Sequence, residues 1–162
     1  MELRPFEGSY TALVASWARS AQEVALLSGR EDFPFPPELV DSWRKVAEDI
    51  RSYLFFDGVD PVGYGELWLD DEEDEVELAR IIVAPALRGK GIGADFVRAL
   101  LGQALAAGLA DVFLRVRPEN EAAIKTYLRV GFRPVDEQLA AEWNEPQPID
   151  YAWLQYPTKS EA

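Results

Sequence analysis

The chain has 162 residues, of which 48% are hydrophobic and five are tryptophan, and its formal net charge is −13. This length and composition predict one globular domain and exclude a disordered protein. The chain contains no cysteine and no histidine, which excludes thiol nucleophiles, Ser–His relays and the usual zinc sites, so any proton transfer must use a carboxylate, a tyrosine or water.

The N-terminal part of the chain predicts a strand, two helices separated by a loop, and two further strands. Ser9 is a suitable N-cap for the first helix, and Gly29 is a suitable end. A proline-rich stretch excludes regular structure around Phe33 and Phe35. The predicted ranges are 3–6 (strand), 9–27 (helix), 30–37 (loop), 38–49 (helix), and 53–56 and 61–69 (strands), followed by an acidic turn over 70–75.

A strand, a glycine-rich turn and a helix follow in direct succession. Residues 76–83 alternate at period two, and Pro85 ends this strand because it has no N–H to donate. The sequence RGKGIG at 88–93, with positive charge on Arg88 and Lys90, then leads into apolar residues at helical spacing over 96–105. Such a turn exposes backbone N–H groups at a helix N-terminus, where the dipole favours negative charge. We therefore expect an anion site for phosphate or pyrophosphate.

Two known phosphate-binding patterns fit this turn poorly. Gly89, Gly91 and Ala94 match the form of the dinucleotide fingerprint, and Asp111 lies near the spacing expected for its ribose-binding acid. That acid should end a strand, however, whereas Asp111 precedes one, and three residues separate the central strand from the glycines. The P-loop pattern requires Ser or Thr after Gly-Lys, and Gly91 stands there instead. Dinucleotide binding remains a minor alternative.

The C-terminal part of the chain continues a mixed α/β order. It predicts a strand at 112–117, a helix at 119–130, and two strands at 133–139 and 151–155 with a loop at 143–148 between them. Gly131 and Phe132 suit a helix exit with glycine at C′.

Two segments carry a family pattern. The first is Ile82-Val83-Ala84-Pro85 followed by Arg88, Gly91 and Gly93, which fits Arg/Gln-x-x-Gly-x-Gly/Ala. The second runs from residue 117 to 132, with the sequence RPENEAAIKTYLRVGF. Together, in this order, they resemble the acetyl-CoA-binding core of the GNAT superfamily of N-acetyltransferases. The resemblance extends over residues 62–134.

The resemblance implies a fold and a coenzyme site. The fold would be α/β, with a mixed, mostly antiparallel central sheet, flanking helices, a bulge near Ile82, and strands 4 and 5 splayed apart into a cofactor cleft. One domain would span 1–162, with acceptor-side helices and first strands in 1–60 and the acetyl-CoA-binding core in 76–134. The implied coenzyme-binding residues are Ile81, Ile82, Val83, Arg88, Gly89, Lys90, Gly91, Ile92, Gly93, Asn120 and Ala123.

Two residues match the family's chemistry. Tyr127 matches a tyrosine that in many members protonates the departing thiolate, while its helical spacing also suits a core aromatic. Glu77 matches the general base of some members, acting directly or through water, and it also ends an acidic run. Asn120 likewise suits a helix N-cap as well as a coenzyme contact.

The acceptor pocket is expected near Trp17, Phe33 and Phe35, where aromatic side chains would wall a cation or an apolar group. Residues 80–133 carry nine Lys/Arg and four Asp/Glu, a net of +5, which leaves −18 for the rest of the chain. An acidic field of this kind steers cations, so a cationic acceptor is expected. Nucleic acid is not expected as a partner, because binding it requires a basic surface.

The expected function is acetyl transfer directly from acetyl-CoA to a primary amine of a small molecule or peptide, without a metal. Transfer of a different acyl group, and a coenzyme A-binding sensor or interaction module without catalysis, stay open as alternatives. No apolar run approaches the ~18 residues of a membrane span and no signal pattern is present, so a cytoplasmic protein without membrane contact is expected. A homodimer stays open.

Overall fold

The computed structural model of the protein describes residues 1–29, 33–43 and 49–157. Its strands are β1 Glu2–Pro5, β2 Ile50–Asp57, β3 Asp60–Asp70, β4 Glu75–Val83, β5 Asp111–Val116, β6 Arg133–Pro134 and β7 Ala152–Tyr156. Its helices are α1 Thr11–Ser16, α2 Ala21–Ser28, α3 Pro37–Trp43, α4 Ile92–Ala106, α5 Glu121–Val130 and α6 Glu137–Asn144, with short 3-10 turns at Gly8–Tyr10 and Pro85–Leu87. In these residues no helix combines the length and the apolar character that crossing a bilayer requires.

The strands form one seven-stranded sheet in the order β1-β2-β3-β4-β5-β7-β6. All neighbours pair antiparallel except β4 and β5, which are parallel. Apolar clusters cover both faces: one packs against α4 and α5, and the other packs against α1, α2 and α3. We call the first the α4–α5 face and the second the α1–α3 face. The mixed, mostly antiparallel sheet implied by the resemblance is confirmed.

A bulge in β4 changes which side chains share a face. Arg80 and Ile81 together lie opposite Gly65 of β3, and Arg80 takes a left-handed backbone with φ of 50°. The bulge expected near Ile82 is therefore present just before it. Alternation at period two predicts Ile81 on the same face as Glu77. This prediction is wrong, because the extra residue returns Ile81 to the α4–α5 face.

Two predicted elements near the chain ends differ in the structure. The helix predicted at 9–27 is two helices, because Ser20 has an extended backbone and its hydroxyl accepts the Glu23 N–H at 3.1 Å, which starts α2 afresh. The strand predicted at 133–139 stops after two residues, because the Asp136 carboxylate accepts the Leu139 N–H and begins α6. The helix predicted at 38–49 is described only as far as Trp43, since residues 44–48 lie outside the described residues.

Candidate active site

β4 and β5 separate after three residue pairs, and a cleft opens between them. Glu75–Glu77 pair with Asp111–Phe113, after which β4 continues beside β3 and β5 beside β7. The implied splay is thus confirmed, and the cleft has a volume of about 200 Å³. It is lined by residues 25–29 at the end of α2, 77–81 of β4, 115–117 at the end of β5, Asn120, Ala123 and Tyr127 near the start of α5, and Trp68 and Tyr151.

A buried network holds the bulge beside the cleft. Glu66 is 0% exposed and accepts hydrogen bonds from the Tyr64 hydroxyl, from Trp68 Nε1 at 2.8 Å and from Arg80 Nη1 at 3.1 Å. Burial and the Glu66 charge raise the pKa of Tyr64 far above its ordinary value. The Arg80 guanidinium also lies over the rings of Trp43 and Trp68, 4.4 and 5.0 Å from their centroids. On its other edge, β4 has no neighbouring strand among the described residues beyond Glu77, because β5 leaves it there and the cleft begins.

The turn over residues 88–93, named the glycine turn, has the geometry of an anion site. Gly89 and Gly91 have φ of 79° and 84°, which favours glycine, and Gly91 is the N-cap of α4. The main-chain N–H groups of residues 89–94 have no hydrogen-bond acceptor within the described part of the chain. Gly93 is different, because its φ is not left-handed and a Cβ would make only ordinary contacts there. The structure therefore does not itself require glycine at residue 93.

The Arg88 side chain binds the protein rather than extending from the glycine turn. Its Nε donates to the Val83 carbonyl at 3.0 Å, Nη1 to the Glu23 carboxylate at 2.6 Å and Nη2 to the Trp17 carbonyl at 2.9 Å. Burial alone would raise the pKa of Glu23, but the hydrogen bonds and charges of Arg88 and Arg19 together outweigh it, and the pKa lies below its ordinary value. Lys90, which is exposed, is left as the cation of the turn.

Three predicted residues of α5 and its N-cap lie together at the cleft. Asn120 caps the helix, its side-chain oxygen accepting the Ala123 N–H at 3.4 Å. Tyr127 is 8% exposed and packs edge-on against Phe132. Its hydroxyl has no hydrogen-bond partner among the described residues, and burial raises the pKa of Tyr127 to about 12. The hydroxyl therefore stays protonated at neutral pH and is free to donate.

Glu77 lies in the cleft as half of an ion pair. It is 5% exposed, and its two carboxylate oxygens accept from Arg115 Nε at 2.8 Å and Nη2 at 3.0 Å. Arg115 also donates to Gln147 at 3.0 Å and lies over the rings of Trp153 and Tyr151. Burial alone would lower the pKa of Arg115, but the hydrogen bond and charge of Glu77, together with Tyr151, more than offset this and raise the pKa. The predicted base is thus already hydrogen-bonded through both oxygens.

The three aromatic residues predicted for the acceptor pocket do not line the cleft. Trp17 and Phe35 are 5% and 4% exposed and belong to the apolar cluster of the α1–α3 face, where Phe35 packs on Trp43. Phe33 is 51% exposed and lies outside the cleft lining. Aromatic side chains between helices are used to fill the core here, and Trp68 and Tyr151 line the cleft instead.

The remaining predicted coenzyme residues have side chains in the core. Ile82 and Ile92 are each 8% exposed, on opposite faces of the sheet, and Ile81 and Val83 pack against the α4–α5 cluster. These four residues therefore have only their main chain to offer a ligand.

The charged residues of the cleft lining are three arginines and one acid, Arg80, Arg115, Arg117 and Glu77, with a net charge of +2. This contrasts with the −13 of the whole chain. None of the three arginines was predicted, because a strand arginine gives no sign of which carboxylate the fold will place beside it. Within the described ranges, no group of three or more acidic side chains is arranged to hold a metal ion.

Comparison with known proteins gives a family match. The model of the acetyltransferase (GNAT) family matches residues 14–132. The uncharacterized N-acetyltransferase YobR of Bacillus subtilis is 42% identical over 60 residues, 37% of this chain and 24% of that protein. The mycothiol acetyltransferase of Corynebacterium efficiens is 31% identical over 90 residues, 55% of this chain and 30% of that protein. The chain thus matches less than a third of the length of these relatives.

Among solved structures, the aminoglycoside acetyltransferase AAC(6')-Ib in complex with ribostamycin and coenzyme A is similar with a TM-score of 0.77. The identity is 19%, over 98% of this chain and 93% of that one. At this identity the similarity establishes the fold.

Proposed function

Because the chain belongs to the GNAT family of acetyltransferases, we propose that it transfers an acetyl group directly from acetyl-CoA to a primary amine. The observation that carries this proposal is the cleft itself. It brings an unpaired stretch of β4 backbone and the protonated Tyr127 hydroxyl into one space, and the glycine turn follows the same strand in the chain. Direct transfer is the simplest route, since the chain contains no cysteine or histidine to carry the acetyl group.

Binding of the coenzyme is assigned mainly to main-chain groups. The free N–H groups of residues 89–94 would hold the pyrophosphate, supported by the α4 dipole and Lys90. Main-chain groups of Ile81, Ile82 and Val83 would pair with the amides of the pantetheine arm, because β5 no longer covers that edge of β4. Asn120 and Ala123 would contact the arm from the start of α5.

Tyr127 is assigned the role of proton donor to the departing sulfur. Acetyl-CoA supplies the activated acyl group, and its thiolate leaves poorly unless it receives a proton or a hydrogen bond. With a pKa of about 12, Tyr127 keeps its proton at neutral pH. A main-chain N–H beside the bulge would stabilise the negative charge that develops on the acetyl oxygen.

Glu77 is assigned the role of orienting the amine and helping to remove its proton. Each carboxylate oxygen has two acceptor positions, and Arg115 occupies one on each oxygen. The remaining positions would orient the amine or a water, and water would carry the proton away. We therefore propose that Glu77 acts as the base, directly or through water, while it stays paired with Arg115.

The acceptor is proposed to be a primary amine of a small molecule or peptide. A cationic acceptor is favoured by the chain's net charge of −13. The +2 net charge of the cleft lining opposes a polycation.

A thiol-release assay with a broad amine panel tests the function. We expect saturable acetyl-CoA binding and amine-dependent release of coenzyme A. Saturable binding without turnover of any amine would instead support a sensor module. Faster turnover with propionyl- or succinyl-CoA than with acetyl-CoA would support a different acyl group.

A further inference from the structure

Two arginines at the end of β5 have different surroundings. Arg115 lies in β5, Arg117 follows the last residue of that strand, and both line the cleft. The Nε and Nη2 of Arg115 form one edge of the guanidinium, and this edge binds both oxygens of Glu77. Such a bidentate pair is the preferred arrangement of a guanidinium and a carboxylate.

The same edge of Arg117 lacks a bonded carboxylate. Its Nε–H is buried and has no hydrogen-bond partner, and Nη2 has none among the described residues. Glu119 forms an ion pair with Nε at 3.4 Å but accepts no hydrogen bond from it, and the Glu119 side chain is 52% exposed. Nη1 makes a single long bond, to the Ala25 carbonyl at 3.4 Å. A buried donor without an acceptor is destabilising, so this edge is open to a group that the described residues do not supply.

Arg117 lies in the same cleft as Tyr127 and next to Asn120, but its side chain extends toward α2. Leu114 and Val116, which alternate with the two arginines, pack in the cluster with α4 and α5. Arg115 and Arg117 therefore face the opposite side, where Arg117 reaches α2 and lines the cleft with Trp68 and Tyr151. The glycine turn and Tyr127 belong to elements on the α4–α5 face.

From these observations we propose that Arg117 binds a carboxylate of the acceptor, so that the substrate class is a primary amine that also carries a carboxylate. This inference rests on the proposed acetyl transfer. Arg80 is already paired with Glu66, and Arg115 with Glu77. Among the arginines of the cleft lining, this leaves the Nε edge of Arg117 open to an anion. The net charge of −13, in contrast, belongs to the whole surface.

The test compares matched acceptors in the thiol-release assay. Glycine, β-alanine and γ-aminobutyrate place the carboxylate at increasing distance from the amine, and each has a carboxamide of nearly the same size. Spermidine serves as the polycation. We expect kcat/KM to favour at least one amino acid over its carboxamide by about tenfold or more, the worth of a charge-assisted hydrogen bond. Spermidine should be the poorer substrate.

Variants then assign the preference to one side chain. Arg117→Gln should reduce the carboxylate preference to below about threefold, and Arg117→Lys, which keeps the charge without the fork, should retain part of it. Arg129→Gln changes the net charge equally on an exposed part of α5 and should keep the full preference.

Acetyl-CoA affinity, measured by calorimetry, distinguishes the two anions that Arg117 could bind, which are the acceptor carboxylate and the coenzyme phosphates. If Arg117→Gln weakens acetyl-CoA binding tenfold and leaves acceptor preference unchanged, Arg117 binds the coenzyme and the inference is overturned. Equal rates for each acid and its carboxamide, or a preference for spermidine, also overturn it while acetyl transfer stands. Absence of turnover with every amine overturns the proposed function and, with it, this inference.

Discussion

Tyr127 has a protonated hydroxyl with no partner among the described residues, so its removal separates chemistry from packing. Tyr127→Phe keeps the ring and loses the proton donor, and kcat should fall by ~10²–10⁴-fold. The affinity for acetyl-CoA and the urea midpoint should stay near wild type. Single-turnover thiol release is the measurement. A kcat within about threefold of wild type, with chemistry rate-limiting, would make Tyr127 a packing residue.

The pair of Glu77 and Arg115 is expected to matter for stability as well as for activity. Glu77→Gln leaves a half-buried guanidinium without its carboxylate and should cost about 1.5–3 kcal/mol of unfolding free energy. Arg115→Gln should cost a similar amount. The double variant should lose less unfolding free energy than the sum of the two single losses, because both substitutions remove the same interaction. Additive losses in urea denaturation would show that the two groups stabilise the fold independently.

The same residues show which features of the site can be predicted from the sequence. Tyr127 and Asn120 could be predicted because their positions are fixed by one helix and a local pattern. The partner of Glu77 could not, because Arg115 is 38 residues away and meets it only through the short parallel register of β4 and β5.

Among the elements, the junction of β4 with α4 offers a test in which stability and binding should change in opposite directions. Gly93 lies in the first turn of α4, and a Cβ there would meet Thr126 Cγ2 at 3.8 Å and Val83 Cγ2 at 3.9 Å. Gly93→Ala should therefore stabilise the helix by about 0.5–1 kcal/mol. It should weaken acetyl-CoA binding about tenfold or more by narrowing the space between the glycine turn and α5.

Calorimetric titration and thermal melts give both quantities on one sample. Gly102→Ala is the matched control, since it lies within α4 with open space around its Cβ position and should change only stability. If Gly93→Ala leaves the affinity unchanged, the glycine turn does not pass the coenzyme at this point. Gly91→Val is a less clean test, because its φ of 84° strains any side chain.

The order of strands and helices could be predicted from periodicity where one face of an element is buried. Periodicity failed at Arg80, because the bulge adds a residue whose left-handed backbone depends on burial of Glu66 on a neighbouring strand. It also failed at α6, where the apolar positions suit a strand as well as a helix and the Asp136 cap decides.

For the molecule as a whole, the acidic excess predicts mutual repulsion that salt should relieve. Burial, followed by the charges of Asp70, Glu73, Asp111 and Glu77, raises the pKa of Glu75. A raised pKa means that stability is fully present below the unfolded value of ~4.3 and is lost as pH rises through the folded value. At neutral pH, Glu75→Gln should therefore stabilise the protein by about 0.2–1 kcal/mol.

This gain should disappear below about pH 4, where both states bind the proton. It should also shrink between ~50 and ~300 mM salt, while the wild-type melting temperature rises over the same range. Glu72→Gln, in the same exposed turn, is the control for charge alone and should give the smaller gain at low salt. Equal gains from both variants would assign the effect to net charge rather than to the position of Glu75.

The three hydrogen bonds of Arg88 have a consequence for how the two substrates affect each other's binding. They join the glycine turn to α1 and α2 through Trp17 and Glu23, so a change in the turn is transmitted to helices beside the cleft. Occupation of the two substrate sites should then be thermodynamically linked, and linkage is reciprocal: if acetyl-CoA raises acceptor affinity by some factor, the acceptor raises acetyl-CoA affinity by the same factor. Calorimetric titration of each substrate with and without the other should give the same factor in both directions. In Glu23→Gln, which weakens that connection, the factor should fall toward one while both substrates still bind.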